Sequence, residues 1–248
     1  MAGDGSLADY WRFHRAVATA QLASWLPGGR QLLVDISGPQ GRSAAQAAKA
    51  GHRVLRVTSR DALDGGPAQP RRRQRAAGAA GTVTTVAADP GSLGFLTDGS
   101  VDGVIADDRA LSRYIAAEYL AAEIARILRP GGRLIASVDS LVLGMAALAE
   151  QRHWAELTDL PSAEVLLVPW QDGTFTRCYG AQHLRDLCLE AGLKPGTIRP
   201  RTVLSPSVVS RVLRQEPGAI GRLVQAELTA GADESFGIQL VLTARKPL

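Results

Sequence analysis

Between Leu32 and Val138, short apolar runs alternate with helix-patterned segments at close spacing, and few folds accommodate that order. "QLLVDI" has the brevity of a buried parallel strand. A turn over Ser37–Gly41 follows, then the alanine-rich helix "RSAAQAAKA", closed by Gly51. "RVLRVT" reads as a second strand, β-branched "TVTTVAA" as a third, "VDGVIAD" as a fourth and "RLIASV" as a fifth. Between the last two, Tyr114–Arg129 reads as a helix with Leu120, Ile124, Ile127 and Leu128 on one face, stopped by "RPGG". Strands that alternate with helices in this way pair in parallel, and right-handed crossovers put helices on both faces. The expected class is α/β, a doubly wound and mostly parallel sheet.

The flanks complete that picture. Leu7–Leu26 reads as a helix with Trp11, Ala18, Leu22, Trp25 and Leu26 along one face, ended by "PGG". A helix over about 141–157 precedes a long loop or small sheet that carries Trp170, Phe175 and Tyr179. Gln182–Ala191 is a further helix, "GTIRPRTVL" a sixth strand and "GIQLVLTARK" a seventh. Helical patterns over Pro206–Gly231 read as an insertion before that last strand, with a lid, a homodimer surface and a merely packed helical pair as its readings. No linker divides the chain, so residues 1–248 are expected to form one domain.

Composition excludes more than it assigns. The run Leu141–Ala149 is too short to span a bilayer, and the first residues lack the basic head and apolar core of a signal peptide. Cys178 and Cys188 make no metal-ligand spacing, so no metal is expected. They read as small buried groups in a reduced, cytoplasmic setting. Much of the net charge of +4 sits in the run Arg71–Arg75. That run lies among Gly, Ala and Pro without aromatics, so it reads as a solvated loop rather than a nucleic-acid contact.

In a doubly wound sheet ligands sit beyond the carboxyl ends of the strands, which makes Asp35–Gly41 the first place to look. A nicotinamide dinucleotide fits poorly. Only Gly38 and Gly41 stand near the places of G-x-G-x-x-G. The residues four beyond the tyrosines are His14, Glu118, Glu123 and His183, never the lysine that short-chain dehydrogenases need.

"VDISGPQGRSA", "VAADPGSLGFLTDGSVDGVIAD" and "EIARILRPGGRLIASV" together resemble class I S-adenosylmethionine-dependent methyltransferases, as do "FTRCYGAQHLRDLCLEAGL" and the final "FGIQLVLTARKP". The resemblance covers most of the chain. It implies a seven-stranded Rossmann-like methyltransferase fold, S-adenosylmethionine as cofactor and, on balance, a small-molecule acceptor. It assigns Asp35 to the methionine end of the cofactor, Gly38 and Gly41 to the glycine turn, Asp89 to the adenine amino group, and Asp107 to a place beside the sulfonium. Ser37 and Pro39 replace two turn glycines, and Thr58 replaces the acid that holds the ribose. Exchanging a charge-assisted pair of bonds for one neutral bond costs about 1–3 kcal/mol, which weakens binding without abolishing it.

Methyl transfer is an in-line displacement governed by positioning, so no catalytic residue is required, and the sequence advertises none. Asp108, Asp139, His14 and His183 stand near the rim but read as capping or surface groups. Tyr10, Trp11, Trp170, Phe175 and Tyr179 line an acceptor pocket or pack in the core. Two alternatives stay open: a non-catalytic or repurposed binding or regulatory protein of the same fold, and a methyltransferase acting on RNA or protein.

Overall fold

A computed structural model describes residues 3–60, 81–158, 165–230 and 237–248. The run Arg71–Arg75 lies outside the described residues. In chain order the elements are α1 (Gly3–Trp25), β1 (Leu32–Asp35), α2 (Arg42–Lys49), β2 (Arg53–Thr58), β3 (Thr82–Ala87), β4 (Val101–Ala106), α3 (Ala117–Ile127) and β5 (Leu128–Ser140). Then come α4 (Leu141–Glu150), α5 (Trp154–Thr158), β6 (Val165–Pro169), β7 (Phe175–Tyr179), α6 (Ala181–Glu190), β8 (Lys194–Pro200), α7 (Pro206–Gln215), α8 (Ile220–Thr229) and β9 (Gln239–Arg245).

The strands form one sheet in which β3, β2, β1, β4 and β5 lie side by side in parallel. β9 runs antiparallel along β5 and carries β8 on its other edge. These are the seven expected strands. The hairpin β6–β7 adds two, with β7 touching β5 at Asp139 and Ser140, so the stretch read as loop or small sheet is a sheet.

Two apolar layers sandwich the sheet. On one face α3 and α6 bring Leu120, Ile124, Leu184 and Leu187 against Val34, Val104, Leu134 and Leu242. On the other, Ala44, Ala47 and Ala48 of α2 let its backbone lie close to Leu33 and Val54, beside Leu22 and Trp25 of α1. Side chains alternate across each strand, which is why Leu33 and Val34 feed different layers.

α1 departs from the single expected face. Its C-terminal half packs on the sheet, while Tyr10, Phe13 and Val17 pack on Val209, Leu213 and Ala219 of the insertion. Trp11, expected in the buried stripe, is 42% exposed. Two partners on different sides turn the helix's outer half away from the sheet. α7 is started by Ser205, whose hydroxyl accepts from Val208 N–H at 3.4 Å, with Pro206 in the first turn. The helix expected over 141–157 is broken where Arg152 takes a left-handed φ of 63°.

Candidate active site

Because β1, β2 and β4 run in parallel, Asp35, Thr58 and Asp107 all arrive at one edge of the sheet. Asp35 closes β1 and is sealed from solvent. Its Oδ1 accepts from Ser37 N–H at 2.9 Å, while Oδ2 is buried without a partner. Burial raises this carboxyl to about 6, against the opposing bonds from Ser37 and with a smaller push from Asp107.

The altered turn is tightly held. Ser37 Oγ accepts from Asp107 N–H at 3.0 Å and reaches Ile105 O at 3.4 Å, tying the turn to the end of β4. Glycine at this position has no atom for that. Gly38 has φ +141°, and a Cβ there would lie 2.8 Å from Asp108 Oδ2 and 3.2 Å from the Arg113 guanidinium. Arg113 donates to Ser37 O at 3.2 Å and to Asp108 Oδ2 at 2.9 Å. From the opposite side Arg56 donates to the Pro39 carbonyl, and its Nε would be 3.0 Å from a Cβ on Gly41, which has φ +60°. Pro39 has no N–H to offer, and its carbonyl is taken by an arginine.

Asp107 is not a free carboxylate. Its Oδ1 accepts from Arg201 Nη1 at 2.7 Å, with both residues buried, and Arg201 Nε donates to Gln21 Oε1 at 3.0 Å. Burial alone would raise Asp107. The charge and bond of Arg201, with Ser137, outweigh it and hold the carboxyl below its ordinary value.

Ser37, Gly38, Gly41 and Asp107 share a cavity of about 500 Å3, which extends under α1. Asp139 and His14 also line it, and neither is the surface or capping group that the sequence suggested. Asp139 is sealed at the end of β5, with its carboxyl raised by burial against the nearby Arg109. His14 is buried and bonded to Gln239 Oε1 at 3.1 Å. Trp11 and Trp170 are the aromatic candidates that reach the cavity. Tyr10 instead packs in the core with its hydroxyl on Thr202 at 2.7 Å, and Tyr179 does so with its hydroxyl on Leu111 O at 3.2 Å. Phe175 opens β7 and is half-buried. His183 lies beside Arg177 and Tyr179, away from the lining.

Thr58 and Asp89 continue the same edge without lining that cavity. Thr58 is buried at the end of β2. Asp89, exposed past β3, accepts from Gly91 N–H at 2.8 Å and from Tyr114 OH at 3.4 Å. Cys178 and Cys188 are buried and unbridged, and burial raises their thiols to about 12 and about 11. No cluster of potential metal ligands occurs among the described residues, and no helix there is long and apolar enough to cross a membrane.

Residues 34–136 match the family model described as a methyltransferase domain. No curated protein sequence matches the chain. Among solved structures, the chain is similar to an S-adenosylmethionine-dependent methyltransferase from Mesorhizobium loti, with 18% identity, 92% of this chain and 96% of that one covered, and a TM-score of 0.58. It is also similar to the 1,6-didemethyltoxoflavin-N1-methyltransferase of Burkholderia thailandensis, at 21% identity, 97% and 82% coverage and a TM-score of 0.56. The (4+2)-cyclase SpnF is similar too, at 20% identity, 93% and 81% coverage and a TM-score of 0.56. With its segment 34–136 matching a methyltransferase domain, the chain has the fold of the class I S-adenosylmethionine-dependent methyltransferases.

Proposed function

We propose that the chain, as one domain, is an S-adenosylmethionine-dependent methyltransferase acting on a small-molecule acceptor. The observation that carries this reading is Asp35 Oδ2, a buried oxygen with no partner at the head of the glycine turn. A sealed carboxylate oxygen is costly unless a donor meets it, and the amino group of a methionine moiety is such a donor. The cofactor supplies a methyl group on a positively charged sulfur. Gly38 and Gly41 shape the turn that would face it, Thr58 offers its hydroxyl to the ribose, and Asp89 accepts from the adenine amino group. Ser37 positions Asp107, whose negative charge is shared with Arg201. The cavity under Trp11 and Trp170 has the size of a small-molecule site.

Calorimetric titration with S-adenosylmethionine and S-adenosylhomocysteine tests this reading. Binding that weakens in Asp35→Ala and in Asp89→Ala is expected, and no binding at millimolar cofactor overturns it. The Arg201–Asp107 pair favours one second reading, a repurposed protein of this fold, since it neutralises the carboxylate that would face the sulfonium. Cofactor binding without transfer would select that reading.

A further inference from the structure

Gln239 joins two groups that lie far apart in the chain. Asp139 is ion-paired with Arg109, whose Nη1 lies 3.4 Å from Oδ2, and as the acid of that pair it accepts hydrogen bonds. Gln239 therefore turns its amide N–H toward it, with Nε2 at 3.4 Å from Oδ1. The reverse orientation would set two acceptors face to face. The Gln239 oxygen is then left for His14, at 3.1 Å from Nε2. An amide oxygen cannot donate, so Nε2 carries the imidazole proton and Nδ1 keeps its lone pair.

Nδ1 has no hydrogen-bond partner among the described residues, and the sealed unpartnered polar atoms there are Asp35 Oδ2 and Arg56 Nε. Nδ1 is thus neither bonded nor sealed among the described residues, and His14 lines the cavity. We propose that His14 is the proton acceptor of the transfer and that the accepting atom of the substrate is a hydroxyl oxygen. The inference rests on the methyltransferase reading above.

The charges facing the ring come from four elements: Arg15 on α1 itself, Arg201 after β8, Asp107 after β4, and Asp139 with Arg109 through Gln239 on β9. Burial first and the Arg201 charge second push the imidazole down to about 4, with Gln239 and Asp107 opposing. The ring is therefore neutral at physiological pH, always able to accept a proton but weakly basic. That weakness selects the chemistry. As the hydroxyl oxygen bonds to the methyl carbon, the carbon–sulfur bond breaks and the sulfur keeps its electron pair. The oxygen's proton passes to Nδ1, and the imidazolium then releases it to solvent. A base this weak does not ionise a free hydroxyl in advance. It does take the proton from an oxygen that is becoming an oxonium, because that proton is far more acidic than the imidazolium. A methylated ammonium is a much weaker acid, so an amine acceptor would gain nothing from His14.

The full chain serves for the test. Imidazole nitrogen NMR should show the Nε2–H tautomer at His14, titrating near 4 and moving up in Arg201→Met. An Nδ1–H tautomer, or titration near the ordinary 6.5, overturns the proposal. Transfer from S-adenosylmethionine is then assayed with catechol and 4-nitrophenol as hydroxyl probes and benzylamine as the amine probe. O-methylation is expected, with a loss of about 100-fold in His14→Gln and unchanged affinity for S-adenosylhomocysteine. Methylation of the amine alone, no product from a protein that binds cofactor, or a His14→Gln variant as fast as the wild type would each overturn it. Failure to bind cofactor sinks the methyltransferase reading instead, while the tautomer still decides the part played by His14.

Discussion

Replacing Asp35 by Asn should abolish a pH dependence that the native turn builds in. The carboxyl ionises at its ordinary 3.8 in the unfolded chain and at about 6 in the folded one. Between those values the native state holds a proton that the unfolded state has lost, so stability falls as pH rises through the interval. At about 1.4 kcal/mol per pH unit, an interval of about two units is worth about 3 kcal/mol. Asn cannot ionise, and most other titrating groups cancel in the comparison. Urea unfolding of both proteins from pH 3.5 to pH 7 should therefore show the stability of Asp35→Asn rising relative to wild type by about 3 kcal/mol across the series. The same linkage acts on the ligand. An ammonium group on Oδ2 would favour the charged carboxyl and draw its ionisation back toward 3.8, so affinity for S-adenosylhomocysteine should increase up to about 100-fold over that range. In Asp35→Asn the affinity should be weaker and nearly flat with pH. A constant stability difference would show that burial does not perturb Asp35. A wild-type affinity independent of pH would remove Asp35 from the cofactor site.

Arg201→Met leaves Asp107 buried and unpaired, and should cost about 3–5 kcal/mol in chemical unfolding. The wild type should lose the contribution of that pair as pH falls below the ordinary aspartate value, because pairing holds Asp107 lower in the folded state, and the variant should lack that loss. A variant as stable as wild type at pH 7 would refute the ion pair. Ser37→Ala strips Asp107 N–H of its acceptor and should cost about 1–3 kcal/mol. If instead it unfolds at the wild-type urea concentration, the turn is not tied to β4 through that hydroxyl.

The sheet was legible because its signals are local. β1 to β5 each announce themselves by a short apolar run closed by a turn residue, and the order of those runs specifies the crossovers. The carboxyl edge was legible for the same reason, since whatever ends a parallel strand must lie on it. α1 was harder. Its periodicity records burial but not how many partners bury it, so Trp11 falls on the expected buried face although it is 42% exposed and lines the cavity, while Tyr10, left open between pocket and core, packs in the core.

What the sequence concealed is how the departures from the family pattern are accommodated, because each compensation comes from a distant segment. Ser37 looks like a lost glycine until its hydroxyl is seen beneath Asp107 N–H, 70 residues further on. Arg113 and Arg201 read as two arginines among many, yet one sits on the carbonyl of Ser37 76 residues away and the other on Asp107 94 residues away. His14 and Gln239 are separated by 225 residues and share one hydrogen bond. No periodicity carries such pairings. A long-range buried polar contact does leave an indirect trace, since a strand-end acid that enters the core needs a counter-charge from elsewhere. Asp107 was therefore a sufficient reason to search for a buried arginine. The segment that supplies it is "RPRTVL" at the end of β8, in which Arg199 is exposed and Arg201 is buried. Strand alternation alone would put Arg199 and Arg201 on one face, yet Arg201 turns inward while its N–H still donates to Gln239 O on β9 at 2.9 Å, because its guanidinium is drawn to Asp107 and Gln21.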